Sequence, residues 1–342
     1  MTKNKQYSKT NKKIVIALGD PAGIGMEITL KALASKDLPQ NMEAILVGCQ
    51  KTLEATYQKL TALGVSQLAN PKNFEIKNLP LDKPVNPGIP SSSTGDASFI
   101  WLTKATTICL QENIRGLVTA PIAKHAWHEA GHHYPGQTER LAELTNSQDA
   151  SMLFTAKSSL SNWRLNTLLA TTHIPISEVP KELSPDLLYK KIKVLVEFCK
   201  KFKENPTIAI AGLNPHAGEK GNIGKEEVQW IIPLLEKFRQ ENPEIKLIGP
   251  MPPDTCWIQA AQAWNGNKAL DPPDGILALY HDQGLIPVKL LAFDAAVNTT
   301  LGLPFIRTSP DHGTGFDIAG NGSAKSESMV AALNAAWEFT KK

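Results

Sequence analysis

The stretch that decides the fold is KIVIALGDPAGIGMEITLKALAS, residues 13–35. Its first part, 13–18, is a short apolar run rich in β-branched residues, which is typical of a buried strand. A glycine-rich turn follows at 19–25, and residues 26–35 have helical apolar spacing. A strand, a tight turn and a helix in this order open an α/β unit.

The same alternation continues along the chain. Apolar runs typical of strands occur at 44–47, 117–118, 165–171, 207–211, 246–249 and 275–280. Helical patterns occur at 51–63, 94–113, 185–202, 226–240 and 326–341. The Pro- and Asn-rich segment 70–90 is predicted to be a loop. Buried strands alternating with helices predict a two-lobed α/β fold with α/β/α layers and mostly parallel sheets.

Length and composition restrict the class of protein. The 342 residues suggest two domains or one large α/β unit, and 42% apolar residues suffice for a sizeable core. A net charge of +3 without a basic face argues against nucleic-acid binding, and no apolar run approaches the ~20 residues that cross a bilayer. Four widely spaced cysteines indicate reduced thiols in the cytoplasm. The polar, lysine-rich residues 1–13 are expected to form a flexible tail.

Three histidines follow predicted strands. They are His173, His216 and His281, in the contexts TTH, LNPHAGE and YHDQG. Sites in parallel α/β sheets form beyond the carboxyl ends of the strands. Imidazoles that converge from separate strands suit a divalent metal with an open position for substrate. For each histidine alone, a cap on the strand or a bond to a loop carbonyl is an equally ordinary interpretation.

The turn Gly19-Asp20-Pro-Ala-Gly23-Ile-Gly25 is open to two interpretations. Glycine lets the backbone approach a ligand closely, and the start of a helix offers N–H groups to an anion. A tightly packed turn without a ligand has the same sequence pattern. Basic and polar residues at 286–307, and the tripeptide 137–139, are further candidate anion contacts, because Arg and Lys bind carboxylates and phosphates.

Eight segments together resemble the family of 4-hydroxythreonine-4-phosphate dehydrogenases of vitamin B6 biosynthesis. They are GDPAGIGMEI (19–28), VTAPIAK (118–124), YPGQTE (134–139), TTH (171–173), LNPHAGE (213–219), GPMPPDT (249–255), YHDQGLIPVK (280–289) and VNTTLGLPFIRTSPDHGTGFDIAG (297–320). The segments occur in the family's order and cover nearly the whole chain. Several are too long and specific to match by chance.

The resemblance implies the fold of isocitrate and isopropylmalate dehydrogenases. It implies a cofactor-side domain at 14–130 plus 290–342 and a metal- and substrate-side domain at 131–289, with a cleft between them. It further implies a homodimer whose site is shared across the interface, with no nucleic-acid or membrane partner.

The resemblance also implies roles by position. Metal ligation is expected from His173, His216 and His281. Substrate contacts are expected from Gln137, Thr138, Lys289, Asn298 and Arg307, and cofactor contacts from Gly19, Asp20, Gly23, Asp311 and His312. The proton acceptor is one of Asp282, Lys289 and Asp254, with a slight preference for Asp282, which is next to a metal ligand. Gln137 stands where the family often has histidine, so this contact cannot become cationic.

The implied reaction is NAD(P)-dependent oxidation of 4-phosphooxy-L-threonine with decarboxylation to 3-amino-2-oxopropyl phosphate. One divalent metal (Zn, Mg, Mn or Co) is expected to assist, and the choice between NAD and NADP stays open. A close alternative has a phosphorylated C4 sugar acid, 4-phosphothreonate or 4-phosphoerythronate, as substrate. Alternatives of other classes are a phosphate acyltransferase-like enzyme and a non-catalytic binding protein.

Overall fold

A computed structural model describes residues 12–267 and 271–340. The described residues form eleven strands: β1 (Lys12–Ala17), β2 (Met42–Gly48), β3 (Glu75–Asn78), β4 (Gly116–Thr119), β5 (Ser151–Lys157), β6 (Arg164–Leu169), β7 (Thr207–Ala211), β8 (Lys246–Met251), β9 (Gly275–Ala278), β10 (Val297–Leu301) and β11 (Ile306–Pro310). The expected tail at 1–13 lies outside the described residues, except that Lys12 and Lys13 open β1.

The same part of the chain forms eleven α-helices: α1 (Gly25–Leu33), α2 (Gln50–Ala62), α3 (Ser92–Gln111), α4 (Lys124–Glu129), α5 (Gln137–Leu144), α6 (Val179–Glu182), α7 (Pro185–Lys200), α8 (Ile232–Glu241), α9 (Ile258–Trp264), α10 (His281–Ala292) and α11 (Glu327–Phe339). A π-helical turn, Glu227–Ile231, precedes α8 directly.

The chain divides into two compact units. The first unit takes the chain up to Leu144 and again from Pro304, and the second is Thr145–Leu303. The divisions thus fall at 144/145 and 303/304, whereas the sequence suggests 130/131 and 289/290. The assignment of a cofactor side and a substrate side to two domains stays a prediction.

The first unit has a fully parallel sheet. Its strand order is β3-β2-β1-β4-β11, and each neighbouring pair is parallel. In the central strand, Ile14, Val15 and Ile16 have no exposed surface. A continuous apolar run is what a strand needs when both of its faces are buried.

The second unit has a mixed sheet with the order β10-β5-β6-β9-β7-β8. The neighbouring pairs β6-β9, β9-β7 and β7-β8 are parallel, whereas β10 and β6 both pair antiparallel with β5. The core between this sheet and its helices includes Phe154, Leu165, Ile276 and Leu285. The predicted α/β fold with mostly parallel strands is confirmed, and the antiparallel pairs are an addition to it.

Four strands and four helices lie where the sequence patterns predict none. Strand β3 lies inside the predicted loop 70–90, and β5, β10, β11 and the helices α5, α6, α9 and α10 are also additional. Strands β10 and β11 have the sequences VNTTL and IRTSP, which contain several polar residues. Their threonines are nonetheless buried, and the Thr308 hydroxyl donates to the Ala332 carbonyl at 2.8 Å. A β-branched side chain with a bonded hydroxyl suits a buried strand.

The glycine-rich turn after β1 packs directly against backbone. A Cβ added at Gly19 would lie 2.4 Å from the Pro121 carbonyl oxygen, and Gly19 also has a φ of +73°. A Cβ added at Gly25 would lie 2.4 Å from the Leu18 carbonyl oxygen. Close packing therefore requires these glycines whether or not a ligand approaches the turn.

We expect Gly25→Ala to destabilise the fold, because the new methyl group would collide with backbone that cannot move independently. The free energy of unfolding should fall by about 1–3 kcal/mol. The matched control is Gly313→Ala, since a Cβ there meets nothing within 4 Å, and it should change stability by less than about 0.5 kcal/mol. Urea unfolding of both variants measures the difference, and equal stabilities would contradict the packing argument.

Candidate functional site

The three strand-end histidines follow three neighbouring parallel strands. His173 comes after β6, His281 after β9 and His216 after β7, and the sheet order is β6-β9-β7. Parallel neighbours end at the same edge of a sheet, which is where sites form in α/β proteins. The rings of His173 and His281 have centroids 5.5 Å apart. The structure thus brings these two rings together and places His216 in the loop after the next strand.

The His281 ring is oriented by its neighbour in the chain. Nδ1 of His281 and Oδ1 of Asp282 are 2.6 Å apart, at the first turn of α10. A carboxylate at Nδ1 stabilises the tautomer that has its proton on Nδ1, which leaves Nε2 as a lone-pair donor. Asp282 therefore has a positioning contact with a candidate metal ligand.

The three histidines are of a residue type that suits a divalent transition metal. Histidine nitrogens are ligands that zinc and related ions accept, and two rings whose centroids lie 5.5 Å apart are close enough to share one ion. Within residues 12–267 and 271–340, however, no group of three His, Cys, Asp or Glu side chains is arranged to hold a metal. The three-histidine site therefore stays a prediction.

Hydrogen bonds between loops hold the strand ends together. Gln283, which is 8% exposed, accepts from the Leu279 N–H at 2.6 Å and donates to the Gly212 carbonyl at 2.7 Å. The Thr171 hydroxyl donates to the Leu279 carbonyl at 2.8 Å. These residues connect the loops that carry all three histidines. Sequence reasoning missed Gln283, although a polar residue directly after the YHD tripeptide and before the apolar stretch was an available signal.

In the first unit, Arg307 is a buried cation on β11. It is 4% exposed, and its Nε and Nη2 donate to the Thr119 hydroxyl at 3.0 and 2.7 Å. Burial lowers the pKa of Arg307 to about 10, and the charge of Glu139 opposes that shift. The Thr119 hydroxyl thus fixes the position of the guanidinium at the end of β4. Thr119, at the end of β4, is a further residue that sequence reasoning did not select.

Gln137 and Thr138 begin α5, beside the end of β4. Nε2 of Gln137 donates to the Ala120 carbonyl at 3.3 Å, and its buried Oε1 has no hydrogen-bond partner among the described residues. An acceptor oxygen repels a phosphate oxygen, so a contact from Gln137 to phosphate requires the amide to turn.

Three other candidate residues lie in the second unit. Asn298 is on β10, and its buried Oδ1 has no hydrogen-bond partner in the described part of the chain. Lys289 is half-buried on α10, with its ammonium 5.9 Å from the centroid of the Phe293 ring. Asp254 is exposed in the turn after the edge strand β8.

The expected cofactor residues lie in two loops of the first unit that touch each other. A Cβ added at Gly23 would lie 2.8 Å from the Thr314 carbonyl oxygen, which accepts from the Ile24 N–H at 2.9 Å. Asp311 and His312 precede Thr314 in the same loop. Nδ1 of His312 is 3.0 Å from the Gly313 carbonyl, and its buried Nε2 has no hydrogen-bond partner within the described ranges.

Asp20 is fully buried within the glycine-rich turn. Its Oδ1 accepts from the Ala22 N–H at 2.9 Å, and its Oδ2 lies 3.5 Å from the Thr94 hydroxyl. Burial raises the pKa of Asp20 above its usual 3.8, although the bonds to Ala22 and Thr94 and the charge of His125 act in the opposite direction. Asp20 thus ties the turn to the start of α3.

The strand order and the strand-end residues define an α/β protein with a candidate site at the carboxyl ends of its parallel strands. Isocitrate dehydrogenase from Methylococcus capsulatus shares the fold, with a TM-score of 0.51 at 15% identity over 95% of this chain and 84% of that chain. A family model described as pyridoxal phosphate biosynthetic protein PdxA matches residues 40–336, and the chain belongs to this family.

Named relatives are similar over almost their full length. A 4-hydroxythreonine-4-phosphate dehydrogenase of Synechococcus sp. (strain RCC307) is 57% identical over 96% of this chain and 99% of its own. A D-threonate 4-phosphate dehydrogenase of Pectobacterium atrosepticum is 39% identical, with coverage of 96% and 99%.

Among solved structures, the 4-hydroxythreonine-4-phosphate dehydrogenase of Klebsiella pneumoniae has a TM-score of 0.79 at 36% identity, covering 97% of this chain and 99% of that chain. The predicted family and the predicted oxidoreductase class are confirmed. In the described part of the chain, every helix is too short or too polar to cross a membrane.

We expect Asp20→Asn to gain stability relative to the wild type as the pH rises. The raised pKa means that the folded state binds the Asp20 proton more tightly than the unfolded chain. Ionisation of Asp20 therefore costs stability as the pH rises from 3.8 through the folded-state pKa. The difference in unfolding free energy between variant and wild type should increase over that window and then level off. The exposed Asp82→Asn serves as the control, and a difference that stays constant or declines for Asp20→Asn would contradict the argument.

Proposed function

We propose that this protein oxidises 4-phosphooxy-L-threonine with NAD(P)⁺ and decarboxylates the product to 3-amino-2-oxopropyl phosphate, a step in pyridoxal phosphate biosynthesis. The observation that carries the proposal is a relative named 4-hydroxythreonine-4-phosphate dehydrogenase at 57% identity over nearly both full chains. The buried Arg307 and the strand-end histidines supply chemistry that this reaction uses.

In the proposed mechanism, the substrate phosphate is bound by Arg307, Lys289 and Thr138, with Asn298 and Gln137 as neutral contacts. The Arg307 guanidinium is pre-oriented by Thr119, so little conformational freedom is lost when a phosphate binds. A phosphate held away from the reacting carbon also orients that carbon for reaction.

His173, His216 and His281 would hold the divalent ion. When bound, the ion acts as a Lewis acid on the substrate hydroxyl and the later carbonyl, and NAD(P)⁺ accepts the hydride. In the neutral imidazole of His281, the hydrogen bond to Asp282 favours the tautomer that has its proton on Nδ1 and its lone pair on Nε2. Asp282, Asp254 and Lys289 are the residues proposed to take the hydroxyl proton. Gly19, Asp20, Gly23, Asp311 and His312 lie in the loops proposed to bind the cofactor.

A second substrate class is favoured by a specific comparison. The relative named D-threonate 4-phosphate dehydrogenase is 39% identical over nearly both full chains. A phosphorylated C4 sugar acid would use the same phosphate and metal contacts and would differ only at the C2 substituent.

We also infer a homodimer whose partner lies beside the site. Helix α10 carries Ile286 at its middle and Leu290 near its end, and Phe293 is its C-cap; the three are 58%, 81% and 69% exposed. Residues four and seven positions apart lie on one face of a helix, so they form an apolar stripe. His281 and Lys289 are on the same helix, which would place a partner next to them.

We propose that the enzyme acts in the cytoplasm, where its four buried cysteine thiols stay reduced.

The proposed reaction is tested by assaying purified protein with each of 4-phosphooxy-L-threonine, D-threonate 4-phosphate and D-erythronate 4-phosphate, with NAD⁺ or NADP⁺. We expect the highest kcat/KM for 4-phosphooxy-L-threonine, with CO₂ released in proportion to reduced cofactor. A higher kcat/KM for a sugar acid would assign the protein to the second substrate class. Absence of turnover with all three substrates, after addition of divalent metal, would overturn both assignments.

We expect Arg307→Lys to raise KM for the phosphorylated substrate about tenfold or more, although the charge is kept. An ammonium cannot reproduce the planar fork of donors, and a lost charge-assisted hydrogen bond costs about 1.5–3 kcal/mol. The matched control is Arg115→Lys, at an exposed position in the same unit. Unchanged KM in Arg307→Lys, or equal activity of the wild type on the dephosphorylated substrate, would refute the role in phosphate binding.

A further inference from the structure

The loop that carries His216 is held by one buried carboxylate, Glu227, which follows shortly after the loop in the sequence. Glu227 is 1% exposed, and its Oε1 accepts from the backbone N–H groups of Leu213 and Asn214, each at 2.8 Å. Its Oε2 accepts from the Asn214 side-chain amide, also at 2.8 Å. The same amide nitrogen donates to Glu226 at 2.8 Å. Three hydrogen bonds thus join one carboxylate to the two residues that lead into Pro215 and His216.

The backbone after this anchor has an unusual conformation. Residues His216–Lys220 all have positive φ values, between 42° and 78°. Gly218 is the only glycine among them, and the left-handed conformation is costly for the other four. Such strain persists only where the surrounding structure holds it in place.

Close packing connects the carboxylate to the strained turn. A Cβ added at Gly218 would lie 2.7 Å from Oε2 of Glu227, and a Cβ added at Gly224 would lie 2.4 Å from the Asn214 side chain. Glu227 is also the first residue of the π-helical turn Glu227–Ile231. Single π-helical turns are frequent at functional sites, because they redirect side chains out of the regular helical register.

We propose that Glu227 is a positioning residue, which fixes the backbone on the N-terminal side of His216 and thereby sets where its imidazole lies. The inference rests on the proposed function, in which His216 is a metal ligand. Groups that orient metal ligands affect metal affinity although they do not touch the ion.

The most informative substitution is Glu227→Gln, which keeps the size of the side chain. Its amide oxygen can still accept from Leu213 and Asn214, but its NH₂ group then meets the NH₂ group of Asn214. If the Asn214 amide turns, its oxygen meets the carboxylate of Glu226 instead. Neither arrangement satisfies all the donors and acceptors, so the anchor is weakened without the creation of a cavity.

The experiment titrates Zn²⁺ alone into wild-type and variant proteins by competition with a chromogenic chelator. We expect the affinity of Glu227→Gln for Zn²⁺ to fall about tenfold or more. Glu236→Gln, which removes an exposed carboxylate on α8, should stay within about twofold of the wild type. Hydrogen exchange should show that the Leu213 and Asn214 amides lose protection in Glu227→Gln only, while circular dichroism shows a native fold.

Unchanged Zn²⁺ affinity in Glu227→Gln, or unchanged protection of the two amides, would overturn the inference. If Glu227→Gln does not fold, Asn214→Ala replaces it in the experiment. This substitution removes the hydrogen bonds of the Asn214 side chain and leaves both backbone bonds to Glu227. Asn214→Ala should weaken Zn²⁺ binding several-fold, and unchanged binding would overturn the inference. The variant His216→Ala distinguishes a failure of the proposed metal site from a failure of the proposed role of Glu227. If it binds Zn²⁺ as the wild type does, the proposed metal site fails, and this inference with it. If it loses Zn²⁺ and Glu227→Gln does not, only this inference fails.

Discussion

Strands β6, β9 and β7 lie side by side and run in the same direction, and the positions of the chemically active residues in the second unit depend on this arrangement. Parallel neighbours must all leave the sheet at one edge, so residues separated by dozens of positions in the sequence emerge close together. The sheet determines only where the loops start. The direction that each loop then takes depends on hydrogen bonds, such as those that Gln283 makes to the ends of both β9 and β7.

Polar groups inside the loops replace part of the apolar packing that a sheet provides. Glu227, Asp20 and Arg307 are each less than 5% exposed, and each has specific hydrogen-bond partners in a loop or at a strand end. A buried charge is costly unless it is paired, so these groups allow few alternative loop conformations. Burial disfavours the charged form of Arg307 as it does that of Asp20, and the Thr119 hydroxyl accepts from two nitrogens of the guanidinium.

Much of the architecture could be predicted from the sequence, because continuous apolar runs such as 14–18 show strands that are buried on both faces. The histidines could be selected because each follows such a run. Strand β5 could not, because the buried polar residues Ser151 and Thr155 leave it only a short apolar run, and its antiparallel pairing depends on partners distant in sequence. The glycine-rich turn was equally compatible with ligand binding and tight packing, and only the positions of Pro121 and Leu18 show that packing alone requires its glycines. The anchoring role of Glu227 was likewise beyond sequence reasoning, because it depends on contacts across a loop.

The two units differ in how the chain passes through them, and this has a consequence for synthesis on the ribosome. The second unit is one continuous segment, Thr145–Leu303, and all of its strands emerge before any residue from Pro304 onward has been made. The first unit lacks β11 until that late segment appears, so β4 has an unpaired edge while the whole second unit is translated. Domains generally fold as they emerge, N-terminal first. Here the sheet of the unit that is translated first is completed last, because it lacks until then the strand that also delivers Arg307.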